Sequence, residues 1–245
     1  MGRSDEFKAS NPNPAKYFLE WRSNEKSFSF YNKETKLNVK VPLPFSFLVL
    51  KQLHTVRGWS DKDSCGIYSN EVAKISEEPL TVKSFKGGLL GSGLYSNIKH
   101  QIGAAGAEYN RSIYALSSRG ELINIAFKAS SVKSWGDFTK NMNDKLEHQW
   151  VIIKSASDEK KGAVNYSVPV FEFGDKVTAE ISAIADAKYD ELVAYLKGHK
   201  ASQTAEEEKE IVEETVSRTS AVSMPPVSEP PIADFSEDES DDLPF

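Results

Sequence analysis

The chain is poor in the residues that most metal and redox chemistry requires. Only one of its 245 residues is cysteine, Cys65, so no internal disulfide can form and a reducing cytosol is the simplest compartment. The four histidines, His54, His100, His148 and His199, are scattered, and neither an H-E-x-x-H nor a C-x-x-C spacing occurs. Isolated histidines are ordinarily solvated or core side chains, so no metal and no cofactor is expected. No apolar run approaches the roughly 18–20 residues of a membrane-spanning helix. The opening MGRSDEFKASNPNPAKYF has no apolar signal-peptide core, and Glu6 stands where N-myristoylation needs Ser or Thr. No membrane association is expected.

Phosphate-loop chemistry is missing too. In Gly87–Gly93 (GGLLGSG) the last glycine is followed by Leu94 and Tyr95 rather than Lys and Ser or Thr, and the dinucleotide fingerprint counted from Gly91 ends on Ser96. The segment reads as a mobile turn or hairpin tip. Asp61 and Asp63, with Glu71, are the carboxylates a metal-dependent nuclease would use, but carboxylates in a polar loop usually face water. Cys65 has no histidine near it in sequence to activate it, so no catalytic residue is assigned and the chain is expected not to be an enzyme.

Charge is present but unevenly placed. Residues 1–200 carry 28 basic and 23 acidic side chains, a net of +5, whereas residues 201–245 carry 2 and 13, a net of −11. This split, with the composition, gives three regions: an N-terminal extension over 1–25, a body over 26–200 and an acidic tail over 201–245. Ser217–Asp242 is rich in Ser, Pro, Glu and Asp and cannot bury enough surface to offset its ordering entropy, so the tail is expected to be disordered.

Within the body, alternation marks strands. Residues 1–25 are polar and proline-interrupted, with a short helix conceivable at Tyr17–Trp21. Phe28 and Phe30, then Leu37, Val39 and Val41, alternate around a turn at Asn32–Thr35. Phe45–Trp59 predicts the longest strand, with a bulge near Lys51 where continuous apolar character gives way to alternation. Residues 60–79 read as a loop and Leu80–Lys86 as a strand. A short helix follows at Tyr95–Ile102, then a hairpin of Glu108–Ser117 and Glu121–Lys128. Val132, Trp135, Phe138, Met142 and Leu146 recur at helical spacing and predict one helix over 131–147. Strands Trp150–Ser155 and Val164–Phe173 flank a charged turn at Asp158–Gly162, and a helix at Thr178–His199 presents Ile181, Ile184, Tyr189, Leu192 and Leu196. The expected fold is mainly β with a few helices: an OB-fold-type Greek-key barrel with N-terminal hairpin additions and a C-terminal helix, its packed helix lying between the third and fourth barrel strands.

The sequence ends Asp241-Asp242-Leu243-Pro244-Phe245. A terminal Phe joins an aromatic ring to a carboxylate, a combination that fits an apolar pocket rimmed by Lys or Arg, and the acids before it add attraction to a basic surround. This ending resembles that of bacterial single-stranded DNA-binding proteins. The body, in FSFLVLKQL, SFKGG and SIYALSS, is similar to the longer single-stranded DNA-binding proteins encoded by tailed phages. The resemblance implies sequence-independent binding of single-stranded DNA and recruitment of replication, repair and recombination proteins through Asp241, Asp242, Leu243, Pro244 and Phe245. A strand-annealing recombination protein, a tail-recruited nuclease and a pure adaptor are the alternatives.

Such binding needs cations along the phosphates and rings under the bases. The candidates are Lys51, Arg57, Trp59, Lys83, Phe85, Lys86, Tyr95, Lys99, Tyr109, Arg111, Tyr114 and Arg119, with Arg57 and Trp59 on one strand face and Lys83 and Phe85 on another. The −11 tail is expected to occupy the basic groove when DNA is absent.

Overall fold

The computed structural model describes residues 13–198; the tail over 201–245, including Asp241–Phe245, lies outside the described residues. The chain opens with β1 (Tyr17–Arg22), β2 (Ser27–Asn32) and β3 (Leu37–Val41). The side chain of Asn32 turns the β2–β3 hairpin, its Oδ1 accepting the Glu34 and Thr35 N–H groups at 2.8 and 3.2 Å. Tyr17–Trp21 is therefore strand rather than helix. Its alternation buries Leu19 and Trp21, and it pairs antiparallel with β2 and parallel with a later strand.

The spine is β4 (Phe45–Ser60), followed by β5 (Cys65–Ser69), β6 (Leu80–Ser84), β7 (Gly88–Gly93) and α1 (Tyr95–Ala104). The hairpin β8 (Ala107–Ser117) and β9 (Leu122–Lys128) comes next, then α2 (Ser130–Thr139), α3 (Asn143–His148), β10 (Gln149–Lys161) and β11 (Val164–Lys176). A final helix, α4, spans 179–198. The register of β4 against β8 slips between Val49 and Lys51, at the expected bulge.

Four expectations need correction. The stretch 60–79 contains β5, a strand of five residues. The glycine-rich segment is strand β7 rather than a turn, paired with β6 and admitted by positive φ at Gly88 and Gly93. The helix at 131–147 is two helices, because Asn141 adopts a left-handed φ of 61° that ends the first. The turn at Asp158–Gly162 is confined to its last residues, since β10 runs to Lys161.

All eleven strands belong to one mixed sheet in the order β3-β2-β1-β9-β8-β4-β5-β6-β7, with β10 on the first part of β4 and β11 on β10. The sheet does not close: β9 takes β1 as its outer neighbour, and β11 reaches that region through side chains, with the Trp21 Nε1–H donating to the Ser167 carbonyl at 2.9 Å. The main core lies under β1, β2, β4, β8 and β9, where Phe47, Phe127 and Phe171 ring the fully buried Trp135 of α2. A second core under the far end of the sheet joins Val56, Ile67, Leu80 and Val82 to Ile98 and Ile102 of α1. On the opposite face, α4 lays Ala185 and Leu192 over Leu48, Leu53, Tyr114 and Leu116. That helix covers only one end of its face. Among the described residues no helix is long and apolar enough to cross a membrane.

Candidate functional site

The face left open beyond α4 is built by cross-strand pairing. Arg57 of β4 is opposite Tyr68 of β5, which is opposite Lys83 of β6, which is opposite Leu89 of β7. Directly paired residues point to the same side of a sheet. Two residues along each strand, Trp59 is opposite Gly66. The Phe85 N–H donates to the Gly66 carbonyl at 3.1 Å, and the Phe85 ring lies so close over Gly66 that a Cβ there would sit 3.2 Å from it. Two rows of side chains thus share one surface: Arg57–Tyr68–Lys83–Leu89 and Trp59–Gly66–Phe85. The alternate residues Val56, Ile67 and Val82 point the other way into the second core.

Three aromatic rings are consequently displayed on a sheet face that no helix among the described residues covers. Trp59 is 57% exposed, Phe85 73% and Tyr68 38%. Tyr68 and Phe85 form a tilted pair with centroids 4.6 Å apart. Large rings held in water by a rigid sheet contribute little to the fold and are available to stack on a ligand. Exposed Lys86 follows Phe85 at the rim. Arg57 folds back along the face, its Nη2 3.5 Å from Asn124 Oδ1 and 3.7 Å from Glu71. Glu71 also accepts the Tyr114 hydroxyl at 2.8 Å, so one carboxylate steadies both residues. Toward β8 and β9 the same face has a floor of small buried polar groups, in which the Asn124 amide donates to Ser112 Oγ at 2.7 Å.

The expected site residues therefore divide. Arg57, Trp59, Lys83, Phe85 and Lys86 come together, on one face rather than two. Tyr68 belongs with them and was not expected; the signal was the alternation Cys65-Gly66-Ile67-Tyr68, inward for Cys65 and Ile67 and outward for Tyr68. Tyr114 must be removed. At 1% exposure it is enclosed by Leu53, Leu122 and Leu192 and hydrogen-bonded to Asn13 and Glu71, leaving no ring face for a base. Burial, then the nearby Glu71 carboxylate, drive its hydroxyl pKa upward. Lys51 lines a separate cleft of about 610 Å³ beside the β4 bulge, its ammonium 5.6 Å from the Tyr189 ring. Arg119 is exposed on the β8–β9 turn, at the opposite end of β8 from Arg57's partner Glu108.

Tyr109 and Arg111 meet on the other side of the sheet at His54, a residue not expected in the site; the ring of Tyr95 lies 5.7 Å from that of Tyr109, and exposed Lys99 follows Tyr95 by one turn of α1. His54 Nδ1 is 2.7 Å from the Tyr109 hydroxyl and its Nε2 is 2.7 Å from Arg111 Nη1. Burial, reinforced by the Arg111 charge, lowers its pKa from 6.5 to about 4. Burial also raises the hydroxyl pKa values of Tyr95 and Tyr109.

The carboxylates considered for metal-dependent cleavage do not converge. Asp63 accepts hydrogen bonds from the Ser60 and Ser84 hydroxyls, Asp61 faces solvent and Glu71 is engaged as above. Among the described residues no three His, Cys, Asp or Glu side chains stand close enough to share an ion. The chain matches no protein-family model, no curated protein and no solved structure.

Proposed function

We propose that this protein binds single-stranded DNA irrespective of sequence, coats it without acting on it chemically, and brings replication, repair and recombination proteins to it. The observation that carries the reading is the open row of Trp59, Tyr68 and Phe85 interleaved with Arg57, Lys83 and Lys86. Every base has a π face, so a platform of rings tolerates any sequence, while the cations follow the phosphates. A duplex keeps its bases stacked inside and cannot use the rings.

The order of elements supports an OB-type barrel: the meander β4–β8–β9, then the α2–α3 helical segment, then the hairpin β10–β11 returning to β4. The fold named is a partly open one, and here the parallel neighbour of β9 is β1. Recruitment rests on the sequence ending Asp241-Asp242-Leu243-Pro244-Phe245. A cytoplasmic location follows from the same reading and from the single cysteine.

The test is a titration with fluorescence detection. Trp59 is the exposed tryptophan of the described residues, so an oligothymidylate strand is expected to quench emission while the matching duplex does not. Trp59→Phe is expected to abolish the quench. Binding should weaken with salt by a slope of about −0.7 per phosphate neutralised. No binding of the strand in dilute buffer would end the proposal.

A further inference from the structure

We propose that Arg111, with Tyr109, Tyr95 and Lys99, forms a phosphate-binding site on the sheet face opposite Trp59. Arg111 is partly buried, and among the described residues no carboxylate lies within ion-pair distance of it. Its Nε is shielded from solvent and has no hydrogen-bond partner among the described residues. One of its five N–H groups is engaged, by His54 Nε2 at 2.7 Å. Guanidinium groups held in partly buried positions are normally matched to an anion.

The neighbours are set as donors. Arginine can only donate, so Nε2 of His54 accepts and the ring proton resides on Nδ1. That N–H donates to the Tyr109 oxygen at 2.7 Å, which leaves the Tyr109 hydroxyl proton to be given elsewhere. The low pKa of His54 agrees with a neutral ring whose role is to orient its two partners. The Glu78 carboxylate, whose charge acts to raise the His54 pKa, accepts the Ala73 and Lys74 N–H groups. Tyr95 stands with its ring 5.7 Å from that of Tyr109, and Lys99 lies one helical turn further along α1. A planar guanidinium fork, a phenol and an ammonium form a donor set without an acceptor, matched to a tetrahedral oxyanion.

The ligand chemistry is a phosphate group, either of a nucleic-acid strand or free in solution. Only the first source rests on the DNA-binding reading. The experiment titrates the full chain calorimetrically with sodium phosphate and, at matched ionic strength, with sodium acetate. Saturable heat with phosphate but not acetate is expected. Affinity should fall about tenfold or more in Arg111→Met and less in Arg111→Lys, which keeps the charge and loses the fork. Circular dichroism checks that each variant folds, and the Lys variant decides the matter if the Met variant does not.

Oligothymidylate binding separates the sources. A salt slope shallower by about 0.7 in the Arg111 variants assigns the phosphate to the strand; an unchanged slope with lost phosphate binding assigns it to a free ligand. Equal heats for phosphate and acetate, or phosphate binding unaltered in both Arg111 variants, would overturn the site. Trp59 quenching by the strand reports separately on the aromatic face, so failure of one proposal is distinguishable from failure of the other.

Discussion

Removing the rings of Tyr68 and Phe85 singly and together separates a stacking platform from a structural patch. A base stacked on an aromatic side chain is worth about 1–3 kcal/mol, or roughly 5- to 150-fold in Kd. Phe85→Ala and Tyr68→Ala should each weaken oligothymidylate binding within that range. The two rings touch, with centroids 4.6 Å apart, so they offer one continuous surface, and the double variant should lose less than the sum of the single losses. Trp59 has no ring contact with either, so Trp59→Ala should add its full effect to that of Phe85→Ala. Stability should hardly change, by under about 0.5 kcal/mol for Phe85, which is already 73% exposed. None of these changes alters charge, so log Kd plotted against log salt should move in parallel with its slope intact. Fluorescence anisotropy across a salt series, with a melting curve for each variant, reads all of this. Wild-type affinity in all three single variants would refute the platform, as would losses that track a falling Tm.

Three further outcomes are expected. Trp135→Ala, which empties the centre of a ring cluster of Phe47, Phe127, Phe138 and Phe171, should cost about 3–5 kcal/mol in urea unfolding, seen as a lower midpoint at constant m. His54 titrates at about 4 in the fold and 6.5 when unfolded, so the unfolded chain binds the extra proton. Stability is therefore full above pH 6.5 and falls as pH drops toward 4, by at most about 2 kcal/mol after allowing for solvent screening; the pH dependence of His54→Gln, subtracted from that of wild type, should isolate this slope. Gly66→Val places a side chain against the Phe85 ring, 3.2 Å from where a Cβ would sit, and should weaken strand binding by no more than Phe85→Ala does. Combining the two should bring no further loss, which a binding isotherm of the double variant checks.

What could be read from residue order, and what could not, divides along one physical line. Alternation and turn chemistry are local, so the β2–β3 hairpin at Asn32, the β4 bulge at Lys51 and the β8–β9 hairpin were all legible. The strand β5 carries the same alternation, but over five residues, and β7 carries none because glycine has no side chain to alternate. Missing β5 had a non-local consequence: Arg57 with Trp59 and Lys83 with Phe85 read as separate faces, since the strand that joins them, and the Tyr68 it presents, had no place between them. Tyr114 shows the complementary failure. Alternation correctly sets it on the face of β8 opposite Tyr109 and Arg111, the face that also presents Asn110 and Glu108. That face is open at Glu108 and shut at Tyr114, because Leu192 of α4 lands on the latter. Which side a residue points to is written in its neighbours; whether that side meets water depends on where a helix nearly 80 residues later comes to rest.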